Sequence, residues 1–231
     1  VFATHALAPA ISDVMVTDAG VGLMRAAGNT GAVAARFVLY GTTSVAAVSC
    51  HLAAHDHATE RRNEDFRQLL RQAVFSEAGV HDNSDWNTLV NAVNSGVTKA
   101  KSKVRAAGAA YSASGGVSSR GGGAYAPGIR LTDADALFWL GDLNYRIDLP
   151  AAEVLALIRD RDWPALRAAD QLSVSKARGD VFQGFTEGVL DFAPTYKHAS
   201  YGDGYELHED GEVKRTPAWC DRILWHTRGR Q

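Results

Sequence analysis

The sequence has no uninterrupted apolar run long enough to cross a bilayer and no leading stretch built like a secretory signal. Cysteine is scarce. Cys50 and Cys220 are the only two, in chemically different settings, which makes no disulfide framework and suits a reducing compartment. An excess of charge is missing too: 24 Lys and Arg stand against 26 Asp and Glu, for a formal net charge of −2. Nothing global therefore marks a nucleic-acid binder, and any attraction to an anion must come from local clusters. No internal repeat is visible. These absences lead to the expectation of a soluble, cytoplasmic chain that meets a membrane only peripherally.

Apolar residues are plentiful, at 46% of 231. That is enough to bury a sizeable core in one large α/β domain or two small ones. Both ends read as cut. The chain opens inside the apolar Val1-Phe2-Ala3 without an initiator methionine, and it closes soon after the strand-like Ile223-Leu224-Trp225. Val33–Tyr40 and Thr42–Cys50 are rich in β-formers and flank Gly41, which predicts a hairpin. A helix is expected from about Thr59, with Phe66, Leu69, Leu70 and Ala73 on one face. Residues 96–130 are dominated by Gly, Ser and Ala. They hold Lys99, Lys101, Lys103, Arg105, Arg120 and Arg130 without one acid, and so predict a flexible basic insertion. Ala136–Leu140 reads as a short buried strand. Pro150 then opens a helix carrying Val154, Leu155 and Ile158, and a second helix starts near Trp163-Pro164. Strands interleaved with helices indicate an α/β domain.

Three groups of residues can carry chemistry. Asp142 and Asn144 follow the C-terminal end of the Ala136–Leu140 strand, where open α/β sheets place ligands. A carboxylate beside an amide can hold a water and a phosphate oxygen. The same residues are ordinary turn formers, and spacing alone does not choose between the two readings. His51 ends a strand and can face the same mouth, whereas His55 and His57 read as capping or packing residues. A histidine pair without a third ligand is weak evidence for a metal. Thr195-Tyr196-Lys197, Lys214-Arg215 and Asp221-Arg222 add cations and a phenol suited to a polyanion, although by composition alone a solvated loop with routine ion pairs is the better reading. Asp221 enters an apolar strand after Trp219-Cys220 and is expected to be a buried carboxylate in need of a partner.

Two long motifs, Phe138-Trp139-Leu140-Gly141-Asp142-Leu143-Asn144-Tyr145-Arg146 and Thr216-Pro217-Ala218-Trp219-Cys220-Asp221-Arg222-Ile223-Leu224-Trp225, resemble signatures of the inositol polyphosphate 5-phosphatase family. Ser49 to His55, Glu60-Arg61-Arg62-Asn63 and Phe192-Ala193-Pro194-Thr195-Tyr196-Lys197 stand in the family's order. The resemblance runs from about Val21 to Trp225, leaving out the insertion. It implies a two-sheet α/β sandwich flanked by helices, like that of deoxyribonuclease I, here incomplete at both termini. It also implies hydrolysis of the 5-phosphate of phosphatidylinositol 4,5-bisphosphate or a soluble inositol polyphosphate, with Mg²⁺ as cofactor. Asp142 would orient or deprotonate the attacking water, Asn144 would hold the transferred phosphate, and His51 would donate to it. Asp221 would lock the tautomer of a catalytic histidine. Tyr196, Lys197, Lys214 and Arg215 would clasp the neighbouring 4-phosphate, and Arg146 would support the site loop.

The family's pattern is departed from in places. Its main metal-binding glutamate is expected upstream of Val1, and its catalytic Asp-His pair beyond the strand at Trp225, so the metal ligands are not assigned and residues 1–231 by themselves are expected to be nearly inactive. A glycine-rich loop reads Gly28-Asn29-Thr30-Gly31-Ala32 and lacks the family's lysine, and Val213 stands at an expected lysine position beside Lys214. The expected partners are an inositide and an anionic membrane surface, with no nucleic acid. The rival reading is a catalytically incomplete phosphoinositide-binding module. A nuclease or sphingomyelinase of the same superfamily is disfavoured by the motifs at Tyr196-Lys197 and Pro217–Trp225.

Overall fold

The structure, a computed structural model, describes residues 3–4, 6–21, 30–76, 128–200, 202 and 204–229. Small and β-branched residues at every second position organise its centre. Ala32 and Ala34, then Ala46, Val48 and Cys50, are all buried, which turns one face of a hairpin inward. The hairpin pairs β2 (Gly31–Leu39) with β3 (Thr43–His51). Its turn needs positive φ at Tyr40 and Gly41, at 50° and 67°. A strand absent from the sequence reading, β1 (Ile11–Gly20), lies on the outer side of β2 with a bulge between Ser12 and Met15. Its alternation is blurred by Asp13 at φ 52° inside that bulge.

Helix α1 (Thr59–Gln72) starts where expected and buries Phe66 and Leu69. A two-stranded sheet follows, β4 (Val74–Phe75) with β5 (Ile129–Arg130). Residues 96–127 of the expected insertion lie outside the described residues, and its end is corrected here: Ile129 and Arg130 are strand. β6 (Ala136–Asp142) runs parallel to β3, and three helices follow: α2 (Ala151–Asp160), α3 (Trp163–Ala168) and α4 (Gln171–Arg178). Pro150 occupies the N-cap of α2. Asp162 and Asp170 cap α3 and α4 by accepting hydrogen bonds from the Ala165 and Ser173 amides. β7 (Thr186–Glu187) and β8 (Asp221–Thr227) complete a six-stranded sheet of order β1-β2-β3-β6-β8-β7.

The fold is thus a mixed α/β layer with a large and a small sheet, as expected from the motifs. One core lies between the inner face of the large sheet and α1. There Trp139, Phe66, Phe182 and Phe185 meet at ring-centroid distances of 4.0–6.4 Å. Each fully buried large side chain of this kind contributes about 1.5–3 kcal/mol. A second core sits under α2 and α3, where Trp219 packs with Val154, Leu166 and Ile147.

Candidate active site

The strand register builds the site. His51 at the end of β3 lies opposite Asp142 at the end of β6, and Asp142 lies opposite Asp221 at the start of β8. Residues directly opposed in a sheet project on one face, so an imidazole and two carboxylates stand abreast across three strands. His51 Nε2 is 3.6 Å from Asp142 Oδ2, beyond hydrogen-bond reach but close enough for a protonated imidazole to pair. The close approach of β3 and β6 depends on Gly141. A Cβ there would lie 2.1 Å from the Cys50 carbonyl oxygen, and its φ is 128°.

Past Asp142 the chain leaves extended geometry. Asn144 adopts φ 56° and is buried, so it does not stand beside Asp142 by simple strand alternation. Its backbone N–H donates to Asp142 Oδ1 at 3.0 Å, and its side-chain amide donates to the Leu52 carbonyl at 3.1 Å. Arg146 braces it from below. Arg146 Nη2 donates to Asn144 Oδ1 at 2.8 Å and Nε to the Asn144 carbonyl at 3.0 Å, while Nη1 pairs with Asp56 at 3.3 Å. The Arg146 guanidinium also lies 4.5 Å from the centre of the Tyr196 ring. With its donors so engaged, the Arg146 guanidinium is tied to the main chain and side chain of Asn144 and to Asp56.

Asp221 requires a correction. The sequence reading made it a buried carboxylate; the structure exposes it. Along β8 it is Arg222 and Leu224 that face inward, so Asp221 and Ile223 face outward. Desolvation against the sheet, then the charge of Asp142, raise the Asp221 carboxyl above its ordinary pKa, and His51 works the other way. The buried carboxylate is Asp170, which accepts two 3.0 Å hydrogen bonds from Arg222, while Glu187 takes two more at 2.6 and 2.8 Å. Burial opposes the Arg222 charge, but these two carboxylates outweigh it and hold the guanidinium above its ordinary pKa. Arg222 is therefore unavailable to a polyanion, contrary to its grouping with the ligand-facing cations.

The remaining cations lie on an excursion between β7 and β8. Its main chain forms a small meander through the bridges Tyr196↔Ala218, His198↔Tyr205 and Leu207↔Val213. Lys197 pairs with Glu206 at 3.4 Å, and Lys214 and Arg215 are exposed. The structure thus brings His51, Asp142, Asn144, Arg146 and Tyr196 into one continuous set of contacts, with Asp221 in their row. Lys197, Lys214 and Arg215 belong to the excursion that Tyr196 begins.

Sequence reading gave no role to the residues that lock the two site loops together. Arg62, fully buried on α1, donates to the carbonyls of Ala53 and His55 and to Gln171 Oε1. Gln171 also accepts from the Arg146 amide at 2.9 Å and donates to Asp148 and to the Asp56 carbonyl. The signal was the pairing of a charged residue with an apolar helix face, which only tertiary contacts resolve. Tyr145 donates to Asn63 at 2.8 Å beneath the site, and burial raises its pKa. Burial likewise pushes the thiols of Cys50 and Cys220 up to about 12, so neither serves as a nucleophile. His55 and His57 stack on one another at 5.9 Å, and His226 packs on Phe185 away from the row. Among the described residues no group of three His, Cys, Asp or Glu is gathered closely enough to hold a metal ion, so Asp142 and Asp221 offer at most part of a ligand set. No helix among them is long and apolar enough to cross a membrane.

An α/β layer that aligns an imidazole and two carboxylates at the ends of three neighbouring strands of its main sheet, beside an Asn-Arg brace, has the fold of the deoxyribonuclease-I-like hydrolases. Residues 1–231 match the endonuclease/exonuclease/phosphatase family 2, and the chain belongs to that family. It is 37% identical over 221 residues to human synaptojanin-1, covering 96% of this chain and 11% of that protein. It is 34% identical over 233 residues to type I inositol polyphosphate 5-phosphatase 5 of Arabidopsis thaliana, covering 99% of this chain and 36% of that one. A crystal structure of the inositol polyphosphate 5-phosphatase domain of SPsynaptojanin, in complex with inositol (1,4)-bisphosphate and calcium ion, superposes with a TM-score of 0.69 at 27% identity. It covers 96% of this chain and 49% of that one. The chain therefore spans only part of the length of the relatives it matches.

Proposed function

We propose that the protein is a phosphoric monoester hydrolase that removes the 5-phosphate of phosphatidylinositol 4,5-bisphosphate or of soluble inositol polyphosphates. The observation that carries this reading is the His51–Asp142–Asp221 row, with Asn144 held against it by Arg146. The names of the relatives, and the inositol bisphosphate bound to the solved synaptojanin domain, support the substrate class. In the proposed reaction a water attacks phosphorus, the bond to the inositol oxygen breaks, and the alcohol leaves with a proton. Asp142 orients the water and takes its proton, and His51 donates to a phosphate oxygen. Asn144 keeps one amide hydrogen beyond its bond to Leu52 and turns it to the phosphate. Asp221 is exposed beside Asp142 and positioned to orient an imidazole. Tyr196, Lys197, Lys214 and Arg215 hold the adjacent phosphate.

Mg²⁺ is the proposed cofactor, and it supplies charge neutralisation at the phosphate. The calcium ion of the solved relative supports a divalent cation. Asp142 and Asp221 are the described carboxylates near enough to contribute, and Mg²⁺ commonly takes one or two carboxylates together with phosphate and water. The incomplete ligand set favours a second reading for residues 1–231 taken alone, a phosphoinositide-binding unit with little turnover. We place the protein in the cytoplasm, peripheral at anionic membranes.

The test is phosphate release from inositol 1,4,5-trisphosphate with Mg²⁺, by the full-length protein and by residues 1–231. Asp142→Ala or Asn144→Ala in the full-length protein should lower kcat by about 10²–10⁴ without unfolding it. Near-normal turnover by either variant would refute the assigned roles.

A further inference from the structure

The excursion between β7 and β8 carries six acids, Asp191, Asp203, Glu206, Glu209, Asp210 and Glu212, against Lys197, Lys214 and Arg215, and one of these carboxylates, Glu206, lies directly against the proposed phosphate clasp. Glu206 donates its backbone N–H to the Lys197 carbonyl at 3.0 Å, and its own carbonyl accepts from the Lys214 N–H at 2.9 Å. The flanking bridges His198↔Tyr205 and Leu207↔Val213 are antiparallel, so Glu206 is directly opposed to Lys197 on one side and to Lys214 on the other. It is the middle of three segments lying abreast. Directly opposed side chains share a face, and the Lys197–Glu206 ion pair at 3.4 Å follows from that placement. Both side chains are partly open to solvent, at 52% for Lys197 and 29% for Glu206. Such a pair is weak and easily displaced.

Resting on the functional reading above, we infer that Glu206 is a displaceable counter-anion. It occupies Lys197 while the site is empty and gives it up to the ring phosphate next to the one being cleaved, which tempers the grip on that phosphate. The chemistry explains why tempering is useful. The neighbouring phosphate remains on the product, so whatever strengthens its hold on the substrate also retards release of the product. A dianionic phosphate outcompetes a carboxylate for the ammonium, and Glu206 then repels it at short range.

The experiment uses the full-length protein and Glu206→Gln. Calorimetry with the product, inositol 1,4-bisphosphate, should show binding about two- to five-fold tighter in Glu206→Gln, the range expected for an exposed ion pair. KM for inositol 1,4,5-trisphosphate should fall by a similar factor. KM for inositol 1,5-bisphosphate, which lacks the neighbouring phosphate, should not change. The gain should shrink in high salt and vanish when the substitution is made in a Lys197→Ala background. Unchanged or weaker product binding by Glu206→Gln, or a gain that survives Lys197→Ala, would overturn the proposal. Absence of turnover by the wild-type protein on every inositide would instead refute the functional reading, while the binding arm would still decide the role of Glu206.

Discussion

Single residues set the site by being forced into uncommon geometry. Gly141 lets β3 and β6 close to the distance at which His51 and Asp142 face each other. Gly141→Ala should cost about 3 kcal/mol or more, because the new methyl meets the Cys50 carbonyl while the backbone stays at positive φ. A thermal melt checks the stability, and a loss of turnover larger than the fraction unfolded would show that the row itself is disturbed. Asp221 gives a prediction of opposite sign. Its folded pKa lies above the ordinary value, so its ionisation opposes folding: stability is fullest below the unfolded carboxyl pKa and is lost as pH rises through the folded one. Asp221→Asn should therefore melt higher than the wild type at neutral pH, with the gap narrowing towards about pH 4. A gap that widens on acidification would contradict the assigned environment.

At the scale of elements, the site depends on two buried polar junctions. Arg62 and Gln171 tie the loop after β3 to the loop after β6, through partners on α1 and at the start of α4. The second junction, Arg222 with Asp170 and Glu187, links β8, the α4 cap and β7. Removing one partner of a buried pair leaves an uncompensated charge, which costs about 3–5 kcal/mol. Asp170→Ala should destabilise by that amount, and by more than Glu187→Ala, because Asp170 is fully buried and also caps α4. Chemical denaturation of both variants measures the difference.

For the whole molecule, the distribution of charge decides how it meets its substrate. A net charge of −2 provides no general attraction to anionic lipid. The local exception is the basic stretch 96–130, of which 96–127 lie outside the described residues; the excursion with Lys197, Lys214 and Arg215 carries six acids besides. Basic residues near an anionic surface contribute about 1 kcal/mol each. Deleting residues 97–127 should therefore weaken sedimentation with phosphatidylserine vesicles at low salt, while turnover of soluble inositol trisphosphate persists. Unchanged vesicle binding would remove the membrane role from this stretch.

The sequence by itself determined most local elements and which polar residues stand at strand ends. The β2–β3 hairpin was legible because β-formers flank a glycine turn. Helix α1 was legible from the spacing of Phe66 and Leu69, and Asp142 from its place beyond an apolar strand. The linear motifs also carried the family. Tertiary structure alone decided which charges are usable. Alternation assigns faces only once the inward set is known, so adjacent Asp221 and Arg222 could not be told apart until packing against Asp170 and Glu187 turned Arg222 inward. Asn144 was legible as a candidate but not in its conformation, since its positive φ goes with contacts to Leu52 from distant chain and to Arg146 two residues on. Glu206 was invisible for the same reason: its place between Lys197 and Lys214 is a matter of strand register, and register is set by pairing across the fold.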